Sequence, residues 1–162
     1  MFTGALAASY YGVPRTTTDA DIVVKVSQTG PHARLIDALR KAGMLAEEGK
    51  INASLKSGYN IITFGDGKTP LALDIILSTR KLQKKAGTIL DVPTFYQTPE
   101  ELILMKLRMI KATMSKAKAS KDRNDVKAIL KFTKVNMETI KRKAQKNNTA
   151  SILEAITSDE KD

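Results

Sequence analysis

Three aspartates have the type and spacing to do chemistry together. Asp19 and Asp21 stand two positions apart at the head of Ile22-Val23-Val24, and Asp74 interrupts a second apolar run, Leu71-Ala72-Leu73-Asp74-Ile75-Ile76-Leu77. In a strand, residues i and i+2 point to one face, about 6.5–7 Å apart, so Asp19 and Asp21 would present two carboxylates on the same side. A strand bearing Asp74 alongside would bring a third. Hard oxygen donors gathered in this way suit Mg²⁺, which takes one or two protein carboxylates and completes its shell with water and substrate phosphates; without a cation between them they would repel. Phosphoryl or nucleotidyl transfer is the chemistry such a set would serve. Plainer readings stand beside this one. An Asp-x-Asp pair also occurs as solvated turn residues or helix caps. Asp74 would be unremarkable on the exposed face of a half-buried sheet, although an ionised carboxylate is rarely buried unless paired or bound to metal.

The elements that must position these residues follow from punctuation and period. Ala5–Tyr11 is small and apolar and reads as a short helix ended by Gly12 and Pro14. Asp19–Val26 reads as a strand. Gly30-Pro31 starts a helix to about Ala42, with Leu35, Ile36 and Leu39 as its inner stripe and Gly43 as C-cap. Leu55–Phe64 reads as a strand interrupted at Gly58, Gly65-Asp66-Gly67 as a hairpin turn, and Pro70–Thr79 as the strand carrying Asp74. Lys81–Ala86 is expected to be a short helix or loop, Thr88–Val92 a strand, and Pro93 a bend leading into helices.

Thr98, Pro99 and Glu101 have the spacing of a capping box with proline at the first helical position. The helix they open is expected to run to about Lys118. Lys106 lies four residues after Leu102 and four before Ile110, on the apolar stripe. A lysine there must snorkel, pair with a carboxylate or reach into a cleft. Lys121–Phe132 reads as a further helix with Asp122 and Asp125 near its start, where the helix dipole favours them. Asn136 caps a last basic stretch that breaks near Asn147-Asn148, and the polar end is expected to fray. Helix, strand, helix, strands and then helices predict an α+β fold. A small mixed sheet carries the three aspartates, with flanking helices. Residues 1–96 would form an α/β core, 97–158 a C-terminal helical part packed on it, and 159–162 a frayed tail.

The 162-residue chain fits one domain or one core with a helical appendage. It has no cysteine, which removes disulfides, thiolate zinc sites and a cysteine nucleophile. Its single histidine, His32, is expected at the surface and cannot build a histidine-rich metal site. No apolar stretch reaches the roughly 18 residues that span a membrane. No basic-then-apolar leader opens the chain, so a cytoplasmic protein is expected. The net charge of +10 is uneven: residues 80–148 hold 18 basic against 6 acidic side chains. Such a field attracts nucleic acid or polyphosphate; a lysine-rich solvated helix surface would look the same. Aromatic residues are scarce among the lysines, so stacking platforms are not evident.

Taken in order, these residues resemble a known family. Phe2-Thr3-Gly4-Ala5-Leu6-Ala7 through Tyr11-Gly12-Val13-Pro14-Arg15-Thr16-Thr17-Thr18-Asp19-Ala20-Asp21-Ile22 resembles the first motif of the minimal nucleotidyltransferases, which have a DNA polymerase β-like fold. That motif is a Gly-Gly or Gly-Ser, a spacer, then Asp-x-Asp. The wording is most similar to the branch holding the AbiEii-type toxin nucleotidyltransferases and their uncharacterised relatives. Thr98-Pro99-Glu100-Glu101-Leu102 through Lys106-Leu107, and Lys121-Asp122 with Asp125, resemble further segments of that branch. Two departures stand out. Ala5 replaces the usual second Gly or Ser, and only Met1-Phe2-Thr3 precede the motif, as a shortened chain or a late start would give.

The resemblance implies a fold, a reaction and a site. Asp19, Asp21 and Asp74 would be the catalytic set and would hold two Mg²⁺ or Mn²⁺ ions. Asp74 would assist the nucleophile. Backbone N–H groups at Gly4 and Ala5 would cradle the nucleotide phosphates, Arg15 and Lys106 would neutralise phosphate charge, and Lys121, Asp122 and Asp125 would be supporting residues of the site. The reaction would move a nucleoside monophosphate from an NTP to a hydroxyl. In the toxin branch the acceptor is the tRNA 3′ end, which suits the basic residues 80–148, and an antitoxin-type protein partner is implied. Other members modify proteins or small molecules, and fold alone does not choose among acceptors. Two alternatives remain: a non-catalytic nucleic-acid-binding or antitoxin-like module on a decayed nucleotidyltransferase scaffold, and a metal-binding structural domain.

Overall fold

The apolar run behind Asp21 forms strand β1 (Asp19–Lys25), and the run around Asp74 forms β3 (Ala72–Ser78), with β2 (Ile61–Gly65) between them in the chain. A computed structural model describes residues 1–27, 32–57, 60–65 and 72–158. Two compact units result, one of Met1–Leu6 with Thr16–Tyr96 and one of Ala7–Arg15 with Gln97–Asp162. Helix α1 (Gly4–Tyr10) contributes to both.

In the first unit β3 is the central strand, parallel to β1 and antiparallel to β2. Helices α2 (Ala33–Lys41) and α3 (Glu48–Ser57) lie between β1 and β2 in the chain. Strand alternation sorts the side chains. Val24, Ile62, Phe64, Leu73, Ile75 and Leu77 face a core completed by Ile36, Leu39, Ala46 and Ile51. The aspartates therefore fall on the other face. Residues 1–3 extend the backbone pairing: Phe2 bridges Ile22 and Tyr96, its N–H donates to Phe95 O at 2.7 Å, and Thr3 N–H donates to Asp21 O at 2.9 Å. A second, two-stranded sheet pairs β4 (Lys84–Ile89) with β5 (Val92–Gln97). Leu90 and Asp91 join them with φ of 47° and 62°, the left-handed pair of a two-residue hairpin turn.

Several expectations need correcting. Leu55 belongs to the backbone of α3, not to a strand, and Lys84–Ala86 belong to β4, not to a helix or loop. The strand expected at Thr88–Val92 straddles the hairpin turn, and Pro93 lies within β5. His32 is buried before α2 rather than exposed. Gly30-Pro31, Gly58, Asp66-Gly67, Pro70-Leu71 and the 159–162 tail lie outside the described residues.

The second unit is helical: α4 (Pro99–Ala112), α5 (Lys116–Phe132), α6 (Met137–Lys146) and α7 (Ala150–Ser158). The helix expected to reach Lys118 stops at Ala112, and Ser115 starts the next by accepting from Lys118 N–H at 3.3 Å. The capping box at Thr98 does not form; its side chain accepts no cap hydrogen bond. Glu101 is drawn instead to Lys143, and Glu100 Oε1 accepts from Asn136 N–H at 2.9 Å. Asn136 caps α6 as expected, accepting from Thr139 N–H at 2.8 Å, and Asn148 makes the following break at φ 53°. Leu102, Ile103, Leu107, Val126, Ile129 and Ile140 are fully buried. Tyr11 ties into this unit, its hydroxyl donating to Gln97 O at 2.7 Å. The chain is thus of the mixed α+β class. Among the described residues no helix is long and apolar enough to cross a membrane.

Candidate functional site

Register settles where the aspartates stand. Asp21 and Asp74 are Cα partners across the parallel β1·β3 ladder, and Asp19 pairs with Ala72 one level down that face. Side chains at one level of a sheet point the same way, so all three share the face opposite the apolar core. Asp19 is exposed; Asp21 and Asp74 are half-buried. On β2, Thr63 is the Cα partner of Asp74, and its hydroxyl donates to Asp74 Oδ1 at 2.6 Å. Thr18 Oγ1 donates to Asp19 Oδ1 at 3.3 Å, and Asp19 N–H donates to Thr17 Oγ1 at 3.2 Å.

Gly4 acts on this face sterically. It opens α1 with φ +57°, and a Cβ placed on it would lie 1.9 Å from Asp21 Oδ2 and 2.7 Å from Asp21 Cγ. Glycine is therefore required twice, by the backbone conformation and by the carboxylate beside it. Ala5 follows with its methyl group buried. Thr63 was not singled out from sequence; its signal was a lone hydroxyl in Ile61-Ile62-Thr63-Phe64, which only the β2·β3 register converts into a partner of Asp74. Among the described residues no three His, Cys, Asp or Glu side chains are drawn together tightly enough to hold an ion. The aspartates share a face without forming a closed ligand set. Their donor chemistry, three carboxylates, is nevertheless that of a Mg²⁺ or Mn²⁺ site.

The remaining candidates meet in the helical unit. Lys106, 3 % exposed, donates to Asp122 Oδ1 at 3.0 Å and to Asp125 Oδ2 at 2.5 Å. Arg15 Nη1 donates to the same Asp125 Oδ2 at 2.5 Å, and among the described residues its buried Nε has no partner. Asp122 and Asp125 are three apart, hence neighbours on one face of α5. Of the three courses open to Lys106, it takes the carboxylate pair. The dipole account of Asp122 and Asp125 gives way to this one, because α5 begins at Lys116 and the dipole's effect fades beyond the first turn. Lys121 is exposed. Arg15, Lys106, Asp122 and Asp125 thus make a buried cluster of two cations and two anions within the second unit, while Gly4, Ala5, Asp19, Asp21 and Asp74 belong to the first.

No protein-family model matches the chain, and no curated protein is significantly similar to it.

Proposed function

We propose that this chain is a Mg²⁺- or Mn²⁺-dependent nucleotidyltransferase that moves a nucleoside monophosphate from an NTP to a hydroxyl acceptor. The observation that carries the reading is the pairing of Asp21 with Asp74 at one level of the β1·β3 ladder, with Gly4 leaving room for the Asp21 carboxylate. Asp19, Asp21 and Asp74 would hold the divalent ions. When bound, those ions supply charge neutralisation for the triphosphate and the departing pyrophosphate. Asp74 has one oxygen held by Thr63; its other oxygen takes the proton of the acceptor hydroxyl as that oxygen bonds to phosphorus and the bond to pyrophosphate breaks. Gly4 and Ala5 contribute backbone N–H groups toward the phosphates, as the resemblance implies. Arg15 and Lys106 have a different task in this proposal: they neutralise Asp122 and Asp125. An RNA 3′ end is the acceptor that the basic second half favours.

The test is transfer of label from each α-labelled NTP, with Mg²⁺ or Mn²⁺, to total RNA, protein or small-molecule hydroxyls. The proposal expects transfer by the parent and its loss in Asp21→Asn. No transfer from any NTP to any acceptor class, with either metal, would refute it.

A further inference from the structure

Helix α5 carries six basic residues, Lys116, Lys118, Lys121, Arg123, Lys127 and Lys131, and two acidic ones, Asp122 and Asp125. Both acids are buried and bound by Lys106 and Arg15. The helical period places Lys116, Arg123, Lys127 and Lys131, successively seven, four and four residues apart, on the side away from Asp122, Asp125, Val126 and Ile129. Lys116, Lys118, Lys121 and Lys131 are exposed, and Arg123 and Lys127 are half-exposed. The buried cluster therefore removes every carboxylate of α5 from its outer surface. Surface helices usually intersperse both signs; of the charged residues that α5 itself carries, only cations lie on its outer face.

We propose that the outer face of α5 binds the phosphodiester backbone of a nucleic acid. From Lys116 to Lys131 the helix rises about 22 Å at ~1.5 Å per residue. One strand of a duplex presents about six phosphates over that length, at ~3.4 Å per phosphate. Ser120 and Asn124, both exposed between the cations, add neutral hydrogen-bond donors of the kind that contact phosphate and sugar. No aromatic or branched apolar side chain interrupts the row from Lys116 to Lys127 on that side; at its end Lys131 Nζ lies 5.7 Å from the ring of exposed Phe132, so the row offers backbone contacts along most of its length and a single aromatic ring at its last turn. An anionic lipid surface fits less well, because an interfacial helix inserts an apolar face, and the apolar residues Val126 and Ile129 are fully buried in the helical unit. The proposal goes beyond the transferase reading and does not depend on it: binding needs only α5, whether or not the aspartates transfer anything.

The test uses the full chain and fluorescence anisotropy with labelled single-stranded RNA, duplex RNA and duplex DNA, from about 50 to 200 mM salt. The variant Lys116→Gln/Arg123→Gln/Lys127→Gln/Lys131→Gln is compared with a control of equal charge loss, Lys25→Gln/Arg34→Gln/Lys41→Gln/Lys56→Gln, all exposed in the first unit. Circular dichroism checks that each folds. The parent should bind at least one polymer with strong salt dependence. The α5 variant should lose roughly 3 from the slope of log K against log salt and bind about tenfold or more weakly at low salt, with the control close to the parent. The polymer bound best then identifies the partner as RNA or DNA. An α5 variant that binds like the parent, equal losses in the two variants, or binding to anionic vesicles with none to any polymer would overturn the proposal. Asp21→Asn in the same assay should bind like the parent, which separates failure of this surface from failure of the transferase reading.

Discussion

Asp21 and Asp74 sit at the same level of the parallel β1·β3 ladder, each the other's Cα partner, on strands 53 residues apart in the chain. Two carboxylates facing one another across adjacent strands gain nothing from burial or from each other. In the proposed function a cation shared by the two would offset their repulsion; Gly4 leaves room for the Asp21 carboxylate, and the Thr63 hydroxyl donates a hydrogen bond to Asp74.

Gly4→Ala tests the steric support. The new methyl would collide with Asp21 Oδ2, and a left-handed φ of +57° costs a non-glycine residue about 1–2 kcal/mol. The carboxylate is the movable partner, so Asp21 turns aside while the fold survives. Urea unfolding should show a loss of about 1–2 kcal/mol, with metal-dependent transfer falling far more than that loss explains. Full transfer by a stable Gly4→Ala protein would show that Asp21 does not need its present orientation.

Lys106→Met tests the buried cluster. Removing one partner of a buried ion pair costs about 3–5 kcal/mol because it leaves charge unpaired. Lys106→Met/Asp122→Leu, which keeps Arg15 with Asp125, should recover much of that stability. Equilibrium unfolding reads both. A single variant as stable as the parent would mean that the cluster contributes no net pairing.

The strands bearing the aspartates were legible because Ile22-Val23-Val24 and Ile75-Ile76-Leu77 are apolar, branched and bounded. Their common face was only half legible. The i, i+2 rule relates Asp19 to Asp21, but nothing local says that Asp74 stands at the level of Asp21 rather than one residue off, which would turn it to the core. Lys106 was legible as buried from its spacing; its partners Asp122 and Asp125 were each noticed yet not joined to it, because the contact crosses from α4 to α5. The β4–β5 hairpin was missed because Leu90-Asp91 is not a typical left-handed turn pair. Helix α3 was missed because Glu48–Ser57 shows no full apolar stripe, and Ile51 is its anchor in the core. The break at Thr113-Met114-Ser115 carries neither Gly nor Pro, the usual stop signals.

The same turn yields a stability prediction. Leu90 is 93 % exposed and left-handed, as is Asp91. Replacing the pair by Asn-Gly, Leu90→Asn/Asp91→Gly, supplies residues that adopt this turn without strain. Stability should rise by about 1 kcal/mol or more, read as a higher urea midpoint at unchanged slope. A fall would argue against the left-handed pair in solution.

Tyr11 sets the alkaline behaviour. Burial, with Tyr10 and Glu100 nearby, raises its phenol well above the usual tyrosine value, and its hydroxyl donates to Gln97 O. A raised folded-state pKa means stability that is complete below the unfolded value near ~10 and is lost as pH climbs from there toward the folded value. Absorbance titration should show Tyr11 ionising last, and Tyr11→Phe should flatten the fall of stability above about pH 10. Ionisation of Tyr11 at the ordinary tyrosine value of ~10 would contradict the buried environment.

The central claim is that Asp21 and Asp74 share a divalent ion with Asp19, and Mn²⁺ binding followed by electron paramagnetic resonance, with and without NTP, tests it most directly. The parent should bind Mn²⁺ more tightly when NTP is present, because the substrate phosphates complete the ion's shell. Asp21→Asn and Asp74→Asn should each lose that binding, Asp19→Asn should weaken it, and Asp37→Asn, exposed on α2, should match the parent. Unchanged Mn²⁺ affinity in both Asp21→Asn and Asp74→Asn would contradict the account.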